Sequence, residues 1–134
     1  MTEIEDGLAA HLGDPRRALA IPSLRARFHA EAYVELDDLI PPSLLARLRV
    51  ETTALLDAHA RRRDLRIAAT GATPRRYALL SYEAILRHGT LAPALYASPA
   101  LQAFLGAIAA APVVPVPYAP ERIIATRLER AGDS

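Results

Sequence analysis

Arg122-Ile123-Ile124-Ala125-Thr126-Arg127-Leu128 reads as a β-strand, and Ala131-Gly132-Asp133 behind it reads as a turn. A turn after a strand calls for a further strand, yet only Ser134 follows. The sheet is therefore expected to be starting where the 134 residues end. Upstream, Pro112, Pro115, Pro117 and Pro120 punctuate Val113-Val114 and Val116, which fits an edge strand or an extended segment. Tyr77-Ala78-Leu79-Leu80 is a second strand candidate, preceded by Thr70-Gly71-Ala72-Thr73-Pro74, which has the composition of a loop. A third short run, Tyr33-Val34-Glu35-Leu36, alternates as a strand does.

The remainder predicts helices. Residues 1–20 read as a polar, weakly helical lead-in. A helix is expected from Ile21-Pro22-Ser23, with Pro22 or Ser23 as cap and Leu24, Phe28 and Ala32 on one face. The next begins at Pro41-Pro42-Ser43 and carries a stripe of Leu44, Leu45, Leu48, Leu55 and Leu56. It is expected to fray in Arg61-Arg62-Arg63-Asp64, where cations suit a helix C-terminus, and to bury its leucines on the sheet. Two short helices cover Tyr82 to His88, stopped by Gly89, and Thr90 to Ala97. Ser98-Pro99 starts a last helix that runs to about Ala110. The fold class expected from this order is α+β.

Composition narrows the function classes. Hydrophobic residues are 51% and charged residues 23%, the balance of a globular domain. With 28 Ala, 2 Phe and no Trp, the core must be built from small side chains. All 16 basic residues are Arg, set against 15 acids, so the net charge of +1 creates no field for a polyanion. Nucleic acid is therefore disfavoured as a partner. Lack of Cys removes disulfides, thiolate zinc sites, iron–sulfur clusters and thiol catalysis. Met1 to Asp14 has no apolar core of a signal peptide, and Leu101 to Val114 is too short and too rich in Ala and Pro to span a bilayer. No membrane partner and a cytoplasmic location are the expectations.

Few residues suggest chemistry on their own. His29-Ala30-Glu31 matches half of a facial-triad iron site, but helical positions i and i+2 point about 200° apart and do not converge. Asp57-Ala58-His59 fails in the same way, and neither His11 nor His88 completes a cluster. Arg61 to Arg63 with Arg66 could touch phosphates, although a solvated helix end accounts for them. Thr70 to Thr73 lacks the ending of a P-loop, and Ser43, Ser81 and Ser98 have no elbow glycines. Arg75-Arg76, at a loop–strand junction, suits bidentate binding of a carboxylate. Glu121, after Pro120, opens the strongest strand.

Taken in order, Y-V-E-L-D-D-L-I-P (Tyr33 to Pro41), T-P-R-R-Y (Thr73 to Tyr77), L-Y-A-S-P-A-L (Leu95 to Leu101) and Y-A-P-E-R-I-I-A-T-R-L-E-R-A-G-D-S (Tyr118 to Ser134) resemble the HalD/BesD-type iron(II)/2-oxoglutarate-dependent oxygenases. These are non-haem enzymes that hydroxylate or halogenate free amino acids and related small molecules. The resemblance implies N-terminal helices packed on the first strands of an incomplete double-stranded β-helix, or jelly roll. It implies a 1–20 lead-in and a 21–134 portion of an oxygenase-like domain that stops short of the iron-binding motif. Iron(II) and 2-oxoglutarate are cofactors of the complete enzyme and are not expected to bind this piece tightly. By the same resemblance, Arg75, with Arg76 as the alternative, would hold the carboxylate of an amino-acid-like substrate, and Glu121 would face its amine. An Arg fork and an acid on opposite sides of a pocket read a zwitterion. The competing expectation is a small non-catalytic helical interaction module. An exposed strand edge would also allow a homo-oligomer.

Overall fold

The structure is a computed structural model that describes residues 2–65, 75–118 and 122–128. Its elements are α1 (Glu3–Leu12), α2 (Pro15–Glu31), α3 (Pro42–His59), β1 (Arg61–Leu65), β2 (Arg75–Leu80), α4 (Tyr82–His88), α5 (Leu91–Tyr96), α6 (Pro99–Ala109) and β3 (Ala125–Leu128). Helices with a three-stranded antiparallel sheet make the fold α+β, as expected. The chain divides into two compact units, Met1–Leu48 with Leu91–Pro115 and Arg49–Thr90 with Val116–Ser134, and the division falls inside α3.

The first unit is helical. Its opening residues are more than a lead-in: Thr2 accepts a hydrogen bond from the Glu5 backbone N–H at 3.2 Å and starts α1. Leu8 and Leu12, one turn apart, are buried. At its C-terminus Gly13 donates to the Ala9 carbonyl at 2.9 Å, and a Cβ there would meet that oxygen at 2.8 Å. Asp14 then accepts from the Arg16 N–H at 2.8 Å, with Pro15 at the first helical position. α2 therefore begins well before the expected Ile21, and Pro22 lies inside it. Asp-Pro is the stronger start because it satisfies an orphan N–H with a charged acceptor.

Two clusters hold this unit together. Leu8, Leu44 and Leu91 form one, with Ile4, Ile40, Leu48 and Leu95 against it. Leu12, Phe104 and Ile108 form the other, with Leu24, Phe28, Val34 and Leu36 among its neighbours. Tyr33-Val34-Glu35-Leu36 is not a strand. Its alternation has another cause: Val34 and Leu36 pack on the helical cluster while Tyr33 stays exposed. The leading leucines of α3 likewise pack on helices and not on the sheet. Glu5 ties α1 to α6: its carboxylate accepts from the Ser98 hydroxyl at 2.5 Å and from the Ala100 N–H at 2.9 Å. Ser98, itself buried, caps α6 by accepting from the Leu101 N–H at 3.1 Å.

The second unit carries the sheet, in the order β1-β2-β3. Arg61 to Asp64 is part of strand β1, not a fraying helix end, because Arg61 to Leu65 pairs with Leu79 to Arg75. β3 pairs with β2 from Tyr77↔Leu128 to Leu80↔Ala125, and spans only part of the expected Arg122 to Leu128. Residues 112–116 lie in no strand. Leu55, Leu56, Ala78, Leu80 and Ile85 are the buried apolar side chains of this unit among the described residues. Ser81 caps α4 through the Ala84 N–H at 3.2 Å, and Gly89 closes it on the Ile85 carbonyl at 2.7 Å. The Thr70 to Pro74 loop, Arg66, and the Ala131 to Asp133 turn lie outside the described residues. Among those described, no helix is long and apolar enough to cross a membrane.

Candidate functional site

A strand alternates its residues between two faces. In β2, Ala78 and Leu80 occupy one face and are 2% and 0% exposed. Arg127 of β3, the register partner of Ala78, pairs its guanidinium with Asp57 of α3 at 2.8 Å, so this is the face that α3 covers. Tyr77 and Leu79 occupy the other face and are half-buried. The register gives Arg76 the acid Asp64 as its cross-strand partner, and Arg75 the apolar Leu65.

Glu121 lies outside the described residues. Ala125, where β3 begins, pairs with Leu80, at the opposite end of β2 from Arg75. The described part of the sheet thus brings Arg75 and Arg76 to one end of β2, and the start of β3 to the other.

The histidines are engaged elsewhere. His11 Nε2 lies 2.6 Å from the Asp38 carbonyl and 2.9 Å from an Arg17 Nη, and a single ring nitrogen can serve only one of these contacts at a time. His29 meets the edge of Phe28 with ring centroids 5.7 Å apart. His59 and His88, the last residues of α3 and α4, stack with centroids 3.8 Å apart and planes 5° from parallel. Sequence reasoning missed this pair. Its one local signal is that both residues sit in the last turn of a helix, where cations are favoured. The His59 ring desolvates one face of His88, and together with the like charges of His59 and Arg87 this holds the His88 imidazole below its ordinary range.

Ring nitrogens bind a metal through lone pairs in the ring plane. Parallel stacked rings aim those lone pairs side by side and not at one point. Among the described residues no group of three His, Cys, Asp or Glu is placed to hold a metal ion. What the described side chains of this unit can supply is charge: Arg61 and Arg62 of β1, and the imidazole pair that ends α3 and α4.

A search among curated proteins returned no match. The family model for Halogenase D matches residues 17–134, which takes in all but the first 16 residues and every strand of the sheet. With the T-P-R-R-Y segment leading into β2 and the P-E-R-I-I segment leading into β3, that match carries the assignment: the chain belongs to the Halogenase D family, a group of halogenase-related enzymes.

Proposed function

We propose that the chain is the N-terminal part of an iron(II)/2-oxoglutarate-dependent oxygenase, a halogenase or hydroxylase acting on a free amino acid or similar small molecule. Residues 1–20 precede that domain and 21–134 belong to it. The three-stranded sheet supplies the first strands of its jelly roll, with helices on the face of Ala78 and Leu80. Family membership supports this reading. The described residues do not fit an iron site, so iron and 2-oxoglutarate would be held by other residues. The chain's share of the work is to bind and orient substrate.

The observation that carries the substrate assignment is the family match over residues 17–134, which takes in the T-P-R-R-Y and P-E-R-I-I segments. On that footing Arg75, with Arg76 as the alternative, is assigned to the substrate carboxylate, and Glu121 to the substrate ammonium. Two N–H groups of a guanidinium fork match two carboxylate oxygens and fix the orientation of the α-carbon.

The test joins the chain to the sequence that continues its reading frame. Iron should bind stoichiometrically to the joined protein and not to the 134 residues alone. Arg75→Ala should weaken amino-acid binding by about 30-fold or more, the usual effect of removing one partner of a desolvated charge pair. Arg76→Ala should weaken it less. Tight iron binding by the 134 residues, or a binding loss confined to Arg76→Ala, would sink the assignment.

One observation favours a second reading, that of an interaction module. β3 stands at the edge of the described sheet, and strand edges template pairing. β1, the other edge, is Arg-Arg-Arg-Asp-Leu, whose charges discourage such contacts. Homo-oligomers joined through β3 would show as a concentration-dependent mass that Thr126→Pro abolishes.

A further inference from the structure

The open end of the sheet unit contains a hollow of about 310 Å³, lined by His59, Arg61, Leu79, Ser81 and Glu83. Regular secondary structure fixes each lining residue. His59 ends α3, Arg61 opens β1 directly across from Leu79 in β2, and Ser81 and Glu83 begin α4. Leu79 gives an apolar wall and the other four give polar ones. Ser81 uses its oxygen to accept from Ala84, which leaves its hydroxyl hydrogen to donate outward. Among the described residues, neither Arg61 nor Glu83 forms an ion pair.

The charges around this hollow do not cancel. Arg61 on β1 and Arg87 on α4 are permanently positive, and Glu83 on α4 is the opposing acid at the wall. Arg62 follows on β1 at the opposite parity. Asp57, two residues before His59, is held by Arg127, and Glu51 of α3 accepts from the Thr90 N–H at 2.8 Å, so both acids are engaged elsewhere. His59, which lines the hollow, stacks on His88 with ring centroids 3.8 Å apart.

We propose that this hollow binds a small oxyanion, a carboxylate or a phosphate group, with the Arg61 fork as its main anchor, the Ser81 hydroxyl and His59 as further donors, and Glu83 as the opposing charge that limits its affinity. The site stands apart from the substrate assignment of Arg75 and does not depend on the halogenase reading.

The test titrates the 134-residue chain with sodium acetate and, separately, with inorganic phosphate, following backbone amides and histidine ring protons by NMR. Saturable shifts should centre on Arg61, Ser81 and the rings of His59 and His88. Arg61→Gln should weaken binding by about tenfold, the loss of one charge-assisted fork at an exposed site. Glu83→Gln should do the reverse and tighten it, by roughly threefold. The anion bound more tightly names the ligand's oxyanion. Shifts that never saturate for either anion, or affinity unchanged by Arg61→Gln and Glu83→Gln alike, overturn the proposal.

Discussion

In the unit of Met1–Leu48 and Leu91–Pro115, Leu8, Leu12, Leu44, Leu91, Phe104 and Ile108 are buried, and the half-buried carboxylate of Glu5 is used to cap a helix. In the unit of Arg49–Thr90 and Val116–Ser134, Leu55, Leu56, Ala78, Leu80 and Ile85 are buried among the described residues, and the surface carries Arg61, Arg62, Glu83, Arg87 and the imidazole pair. Glu5 of the first unit spends its charge inside the fold, while Arg61 and Glu83 of the second line a hollow and form no ion pair among the described residues. The contrast shows where chemistry can be placed. Side chains that must meet a ligand cannot also be consumed by caps and ladders.

The largest test of this contrast is in the cores. Leu8→Ala removes a side chain that is 0% exposed and should cost about 2–5 kcal/mol in urea unfolding, because a cavity adds to the lost transfer energy. Leu80→Ala, equally buried, puts the same question to the sheet unit. If Leu80→Ala costs as much, the two units differ only in their polar groups. A cost below about 1 kcal/mol at Leu8 would break the comparison.

Glu5→Ala comes next. It leaves the Ser98 hydroxyl and the Ala100 N–H without their charged acceptor and should cost about 1.5–3 kcal/mol, with Ser98→Ala recovering part of the loss in a double mutant. Indifference to Glu5→Ala would mean that water replaces the cap. In the sheet unit, the ion pair of Arg127 and Asp57 is 39% and 63% exposed, so Asp57→Ala should cost no more than about 1 kcal/mol and less still in high salt. That asymmetry between a half-buried cap and an exposed pair is the contrast in miniature.

The smallest effect is one of pH. The folded state holds His88 below the ordinary imidazole value, so the unfolded chain takes up the proton first as the pH falls. Stability should therefore be full above that ordinary value and decline as the pH drops through the lowered folded one. A thermal midpoint that is lower at about pH 5.5 than at about pH 7.5, with His88→Gln flattening the difference, is the expected record. A midpoint that rises on acidification would place the pair in a different electrostatic setting.

Much of the helical half was legible in advance. Ser98-Pro99, Ser81 and Gly89 end or begin helices as their chemistry suggests, and α3 begins at Pro42 and runs to His59, close to the span predicted. The signals for α1 lie in the sequence as well: Thr2-x-x-Glu5 has the spacing of a capping box, and Ile4, Leu8 and Leu12 repeat every four residues. Glu5 does more than that pattern implies, since its carboxylate reaches Ser98 and Ala100, more than ninety residues away. In the proposed site, the Arg75-Arg76 junction could be picked out from the sequence.

Neighbours along the chain are enough to decide helix caps and stops, the absence of thiol chemistry, and the motifs that mark the family. Packing in three dimensions was needed to make Arg61 to Leu65 a strand, to deny that role to Tyr33 to Leu36, and to rest His59 on His88. A helix closes its hydrogen bonds within four residues, so its rules are local. A strand is completed only by a partner, and a charged run such as Arg-Arg-Arg-Asp becomes one because β2 lies alongside it.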